Sequence, residues 1–296
     1  MNQIKRFGRK IVLATTGAAC LALGGVGTAY GNTVFDRPNI FFDNPQDTIE
    51  ISGQTWLGAE STYEARIYFP SNVGAFGFVF NEFTDSYEDK TLAAGPSSLF
   101  GFNFPLYTDN VLTTSISIAT DTWHHIAFVQ GGGTQRLYLD GQIVASRPGV
   151  GDIWDSNGGG FLGAISRNGN VYNSFIGHLD TLRISNVARY SGNSFEIPLG
   201  DLSSDSSTQI LYNFNLEDYF QQNSLTWVSD LSGNGHHGRF GTGFAGATSP
   251  SIIVPIVPVD RESVPEPSST LCLLAFGACG AGSLLKRFWQ QKDVDS

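Results

Sequence analysis

Between Asn32 and Val264 the sequence contains no cysteine and only one lysine, Lys90. The first absence excludes disulfides, thiolate metal sites and a cysteine nucleophile from this body. A stretch of about 230 residues buries enough apolar surface to fold without covalent staples. The second absence bears on charge. Within the same body 24 Asp and Glu stand against ten Lys and Arg, a net of −14. No basic patch is available to neutralise phosphates, so nucleic acid is not a partner. Such a surface suits solubility outside a cell and weak binding of divalent cations. Two catalytic signatures are also missing. No E-x-D-x-x-E run places two carboxylates on one face of one strand, as glucanases on a sandwich fold require, and no G-x-S-x-G elbow occurs. Asp47 and Glu50 are three residues apart and face opposite ways on a strand. These absences argue against an enzyme.

The ends are of a different kind. Lys5, Arg6, Arg9 and Lys10 precede an apolar, Gly-rich run from Ile11, with small residues at Ala29 and Gly31. This predicts a secretory signal peptide over 1–31. Near the other end, "SSTLCLLAFGACGAGSLL" gives 18 uncharged residues from Ser268 to Leu285. As a helix the run spans about 27 Å, enough for a transmembrane segment. Lys286 and Arg287 hold its end on the cytoplasmic side.

The body reads as strands. "TIEIS", "YEARIYF", "AFGFVFNEF", "SLFGFNF", "WHHIAFVQ", "QRLYLDG", "FIGHLDTLRIS" and "QILYNF" are aromatic and β-branched runs bounded by Gly, Asn, Asp or Ser. No sustained helical period interrupts them, which predicts an all-β, two-sheet antiparallel sandwich. In "DTWHHIAFVQ" the residues Trp123, His125, Ala127 and Val129 point one way, and His124, Ile126, Phe128 and Gln130 the other. The two histidines therefore cannot ligate one ion together, and the segment is expected to be a central strand. Asp140-Gly141 suits the two positive φ values of a type I′ hairpin turn. Residues 249–264 are Pro-rich and read as a linker.

Two G-x-G-x-x-G runs, Gly233–Gly238 and Gly241–Gly246, follow no βαβ pattern, so dinucleotide binding is not expected. In "DLSGNG", Asp230, Ser232 and Asn234 alternate like the first half of a calcium loop, but Gly241 stands where the bidentate Glu belongs. Asp230 and Asn234 are the candidate calcium ligands, with an Asx turn as the alternative. Asp152, Asp155 and Asn157 form a second oxygen cluster in the Gly-rich loop 149–160, a candidate contact surface. His178, His236 and His237 have no metal-ligand spacing. Asp180 and Arg183 are expected to form a structural pair or a turn contact.

"TDTWHHIAFVQ", "QRLYLDGQIVAS", "FIGHLDTLRISNVARY" and "ILYNFN…VSDLSGNGHHG" resemble laminin G-like domains of the concanavalin A-like lectin/glucanase superfamily. The resemblance implies a jelly roll over 32–248 that binds glycans or proteins at a face or rim, often beside calcium. The "LYNF…DLSGNGHHG" block often opens such a domain and comes late here. The tail resembles the PEP-CTERM sorting signal: Pro265-Glu266-Pro267, an apolar helix at 268–285, then Lys286, Arg287 and Lys292. That resemblance implies a signal over 265–296 recognised by an exosortase, with transient anchoring in the inner membrane of a Gram-negative-type bacterium. The expected function is a cell-surface or matrix-associated binding protein for extracellular polysaccharide. The alternative is a structural or protein-interaction component of the surface or biofilm.

Overall fold

The computed structural model describes residues 35–53, 59–73, 76–82, 90–103, 111–149, 160–167 and 170–255. The signal-peptide segment, the cluster of Asp152, Asp155 and Asn157, the Pro265–Glu266–Pro267 motif and the apolar run 268–285 lie outside them. Among the described residues no helix is long and apolar enough to cross a membrane.

In chain order the strands are β1 (Asn39–Phe42), β2 (Ile49–Ile51), β3 (Ser61–Tyr68), β4 (Gly77–Glu82), β5 (Lys90–Gly95), β6 (Ser98–Asn103), β7 (Val111–Ser115), β8 (Trp123–Gly131), β9 (Thr134–Leu139) and β10 (Gln142–Pro148). They continue as β11 (Gly160–Leu162), β12 (Ile165–Arg167), β13 (Asn170–Tyr172), β14 (Gly177–Ser185), β15 (Thr208–Tyr212), β16 (Tyr219–Gln222), β17 (Leu225–Val228), β18 (Gly238–Phe240) and β19 (Ser251–Ile253). The first sheet runs β10-β9-β8-β3-β14-β1-β19, with β15 also paired to β14. The second runs β16-β17-β18-β2-β11-β4-β5-β6-β7, and β12 and β13 form a separate hairpin. The paired strands are antiparallel, and the chain is a two-sheet sandwich.

The alternation read in the sequence sets the inner faces. Ile40, Phe42, Tyr63, Ala65, Ile67, Ile126, Phe128, Leu179 and Leu182 of the first sheet meet Ile49, Ile51, Phe80, Leu92, Leu99, Leu162, Val228 and Phe240 of the second. Strand β8 lies between β3 and β9, as expected of a strand apolar on both faces. The Asp140-Gly141 turn has φ 50° and 73°, the type I′ signature. Asn223-Ser224, at φ 52° and 63°, makes a second such turn between β16 and β17.

One expectation needs correcting. The stretch read as a linker from residue 249 begins inside a sheet: β19 pairs with β1 through Asn39↔Ile253, Ile40↔Ile252 and Phe41↔Ser251. "SII" is a β-branched run with Ile252 packed against the core, and the nearby prolines hid it. The late "LYNF…DLSGNGHHG" block lies inside the sandwich, as the 32–248 reading has it. It supplies β15 beside β14 and leads into β18 beside β2, so this late segment pairs with an early strand.

Much of the outer face of the first sheet is covered by the chain itself, while Trp123 and Arg66 stay half-buried on it. After β14, residues 186–207 cross it without forming a strand. Tyr190 and Phe195 stack at 3.6 Å and 3° over Tyr138 and Val129. All nine residues of β14 are buried, polar ones included. The nine-stranded sheet carries the half-exposed face described next.

Candidate functional site

The histidines at the start of β8 belong to the fold. His124 sits between the Asp140 carboxylate, 2.7 Å from Nδ1, and the Ala119 carbonyl, 3.0 Å from Nε2. Both partners accept, so the imidazolium is favoured and the His124 pKa is raised, chiefly by the Asp140 hydrogen bond. On the opposite face His125 Nε2 lies 3.1 Å from Glu64 Oε2. Glu64, fully buried, also accepts from Tyr190 at 2.7 Å and from Arg183 Nε at 2.8 Å. Burial raises its pKa, but the His125 hydrogen bond and the Arg183 charge outweigh that, and the net shift is downward. This network fastens the covering segment to the sheet.

Asp180 and Arg183 do not pair with each other. A bulge between Leu179 and Thr181 turns Asp180 to Arg66 at 2.9 Å, whereas Arg183 serves Glu64. His178 is stacked on Phe41 at 4.1 Å, and burial pushes its pKa down to about 3.

The rim loop with Asp230 and Asn234 is a turn built on one carboxylate. Asp230 Oδ1 accepts the N–H of Leu211 and of Ser232, and Oδ2 accepts the His236 N–H and the Ser232 hydroxyl, all within 2.7–3.0 Å. Asn234 turns its Nδ2 donor to the carbonyls of Thr208 and Gln209. Four donors aimed at Asp230, and an amide presenting N–H, do not fit a calcium ion. The geometry is the Asx-type turn. Among the described residues no group of three or more His, Cys, Asp or Glu side chains could hold a metal.

A different constellation emerges from strand register. On the outer face of the nine-stranded sheet, Phe220, Trp227, Arg239, Glu50, Phe161, Asn81 and Thr91 are successive cross-strand partners from β16 to β5. Cross-strand partners project side by side on one face. Phe220 and Trp227 stack at 6.0 Å and 17°. The Arg239 guanidinium lies 5.7 Å from the Trp227 ring centroid, on the scale of a cation–π contact. Arg239 Nη2 donates to Glu50 Oε2, and Nε donates to Thr242 Oγ1 at 2.9 Å. The side chains of Arg239 and Glu50 remain 36% and 28% exposed. Phe220, Trp227 and Phe161 are half-buried, whereas Asn81 and Thr91 are buried. The open part of the row therefore runs from Phe220 to Phe161.

Loops at the ends of the three-residue strands flank the row. On one side Thr242 binds Arg239, and Gly243 lies so close to the Phe161 ring that a Cβ there would overlap it. Gly243 has φ +113°, so a larger residue is excluded twice over. On the other side His237 meets Phe220 edge to face at 5.5 Å. Sequence reading missed this site. A period-2 signal does exist in "YFQQNSLTWV", where Asn223-Ser224 separates two short alternating runs.

A family model described as the concanavalin A-like lectin/glucanases superfamily matches residues 43–192. No curated protein matches the chain by sequence. Among solved structures, a candidate carbohydrate binding protein from Bacteroides ovatus ATCC 8483 is similar at TM-score 0.52 and 15% identity, covering 75% of this chain and 60% of that one. A heptameric SAP-like pentraxin from Limulus polyphemus matches at TM-score 0.42 and 18% identity, over 52% of this chain and 78% of its own. The CBM40 of a Ruminococcus gnavus sialidase, bound to α2,3-sialyllactose, matches at 0.41 and 11%, over 51% and 91%. The first of these likenesses shows a shared fold.

Proposed function

The chain belongs to the concanavalin A-like lectin/glucanases superfamily, as a Laminin_G_3 domain. From that footing we propose that it is a non-catalytic, exported protein that binds extracellular polysaccharide through the outer face of its nine-stranded sheet. The observation that carries this is the half-exposed row from Phe220 to Phe161. Sugars present apolar C–H faces ringed by hydroxyls, and this row alternates rings with a guanidinium–carboxylate pair that both donates and accepts. The other broad face is largely covered by residues 186–207. Glu50 is the one carboxylate in the row, and glycoside hydrolysis requires two flanking the scissile bond.

Routing rests on the sequence at the two ends. The basic and apolar start supports export, and Pro265-Glu266-Pro267 with its apolar run and basic cluster supports exosortase-dependent sorting to the surface of a Gram-negative-type bacterium. Mass spectrometry of the surface form is expected to find the N-terminus near Asn32 and the tail removed near the motif. Peptides reaching Ser296 on exported protein would contradict the sorting step.

Binding is tested by retention of the full chain on a panel of insoluble bacterial and plant polysaccharides. At least one should retain the wild type, and Trp227→Ala should abolish retention. Retention unchanged by Trp227→Ala would remove the row from the proposal.

A further inference from the structure

The row lies mostly beyond the segment that carries the family likeness. Phe220, Trp227 and Arg239 follow residue 192, where the family match ends, and only Glu50 and Phe161 fall within it. Its chemistry therefore has to be read from this chain.

We infer that the row takes an uncharged, extended polysaccharide and reads it along its length. This deepens the glycan-binding proposal and rests on it. Three observations point to neutral sugars. Arg239, the cation of the row, is compensated on the same face by Glu50 and spends its Nε on Thr242. The chain carries a net charge of −10, so its field repels polyanions. Binding of a polyanion draws on released counterions, which takes several unpaired Lys and Arg, and a neutralised pair offers none. The Arg239–Glu50 pair instead offers donor and acceptor positions to hydroxyl groups, between Trp227 on one side and Phe161 on the other.

Length follows from the register. Four strand steps of about 4.8 Å carry the row from Phe220 to Phe161, about 19 Å in all, on the order of four pyranose rings. At the Phe220 end β16 is the edge of the sheet, so nothing in the sheet stops the ligand there. At the other end exposure stops, because Asn81 and Thr91 are fully buried. The Thr242–Gly243 loop and His237 flank the sides and keep the ligand across the strands. A terminal-sugar pocket would wall off all sides of one ring. An extended row suits the interior of a chain.

The test is titration calorimetry of the full-length protein after a glycan array that carries neutral glucans, mannans, xylans and galactans beside uronate and sulfated polymers. Binding is expected only among the neutral polymers. For the best of them, oligomers of two to six units should gain affinity up to about four units and then level off, with the dimer at least about tenfold weaker than the hexamer. Trp227→Ala and Phe161→Ala should each flatten the series, the second by removing the gain of the longer oligomers alone. Tightest binding to uronate or sulfated polymers, weakening as salt rises, would overturn the neutral-sugar inference and leave glycan binding standing. Equal affinity for dimer and hexamer would overturn reading along the chain. No binding anywhere on the array would overturn the glycan proposal itself.

Discussion

At the residue scale, buried charge does structural work on both faces of β8. His124 between Asp140 and Ala119 has a folded-state pKa above its unfolded value of about 6.5. Its contribution is fully present below that value and is lost as pH rises through the folded pKa. The neutral, buried His178 works in the opposite sense as pH rises through the ordinary His range, so the readout is a difference. The melting-temperature advantage of the wild type over Asp140→Asn should shrink as pH is raised from 6 to 8. Glu64 shifts the other way. Its stabilisation is present above the unfolded carboxylate value and is lost as pH falls through the depressed folded value. Glu64→Ala leaves Arg183 buried without its counter-charge. Denaturant unfolding should show a loss of about 3–5 kcal/mol, the cost of breaking a buried pair from one side. Conversely, glycan retention should be little changed in any fraction that folds, because Glu64 is buried on the other sheet.

At the element scale, the Asp230 turn and the Asp140-Gly141 hairpin are the local devices that place loops. Asp230→Ala strands the backbone donors of Leu211 on β15 and of Ser232 and His236 in the loop leading to β18, and should cost about 2 kcal/mol or more whether calcium or chelator is present. Because that loop ends at His237, beside Phe220, glycan retention should weaken as well. Gly141→Ala would force a side chain onto the Phe195 carbonyl at a positive φ, loosening the covering segment where Phe195 N bonds to Gly141 O. The hairpin was legible in the sequence because Asp-Gly between alternating runs is a local signal. So was the opposed facing of His124 and His125, which follows from period 2 alone. The row was not. Arg239 and Glu50 are 189 residues apart, and only the pairing of β18 with β2 makes them neighbours. Nothing local marks a register between distant strands. The Asp230 turn was hidden for a related reason: the same oxygen-bearing spacing serves an ion or a turn, and the N–H groups that build the turn come partly from Leu211, on another element.

At the scale of the whole molecule, the order of strands matters more than their number. Among the described residues, five strands follow residue 192 and build both the exposed end of one sheet and the closing edge of the other. Ending the chain at Pro250 would remove the three β1–β19 pairs and the packing of Ile252. A fall of about 5 °C in melting temperature is expected, from a loss of about 1–2 kcal/mol in a domain of this size. The fold should survive, since β1 keeps its pairing with β14.

The pairing of Asn39 with Ile253 has a mechanical side. Two antiparallel neighbours bring the start of β1 and the end of β19 to one corner. Tension applied between these two points opens the strands like a zip, loading the hydrogen bonds one after another instead of together. Such an edge yields at low force. The β19 edge would peel away first, while Trp227 and Arg239 sit in the other sheet, away from the line of pull.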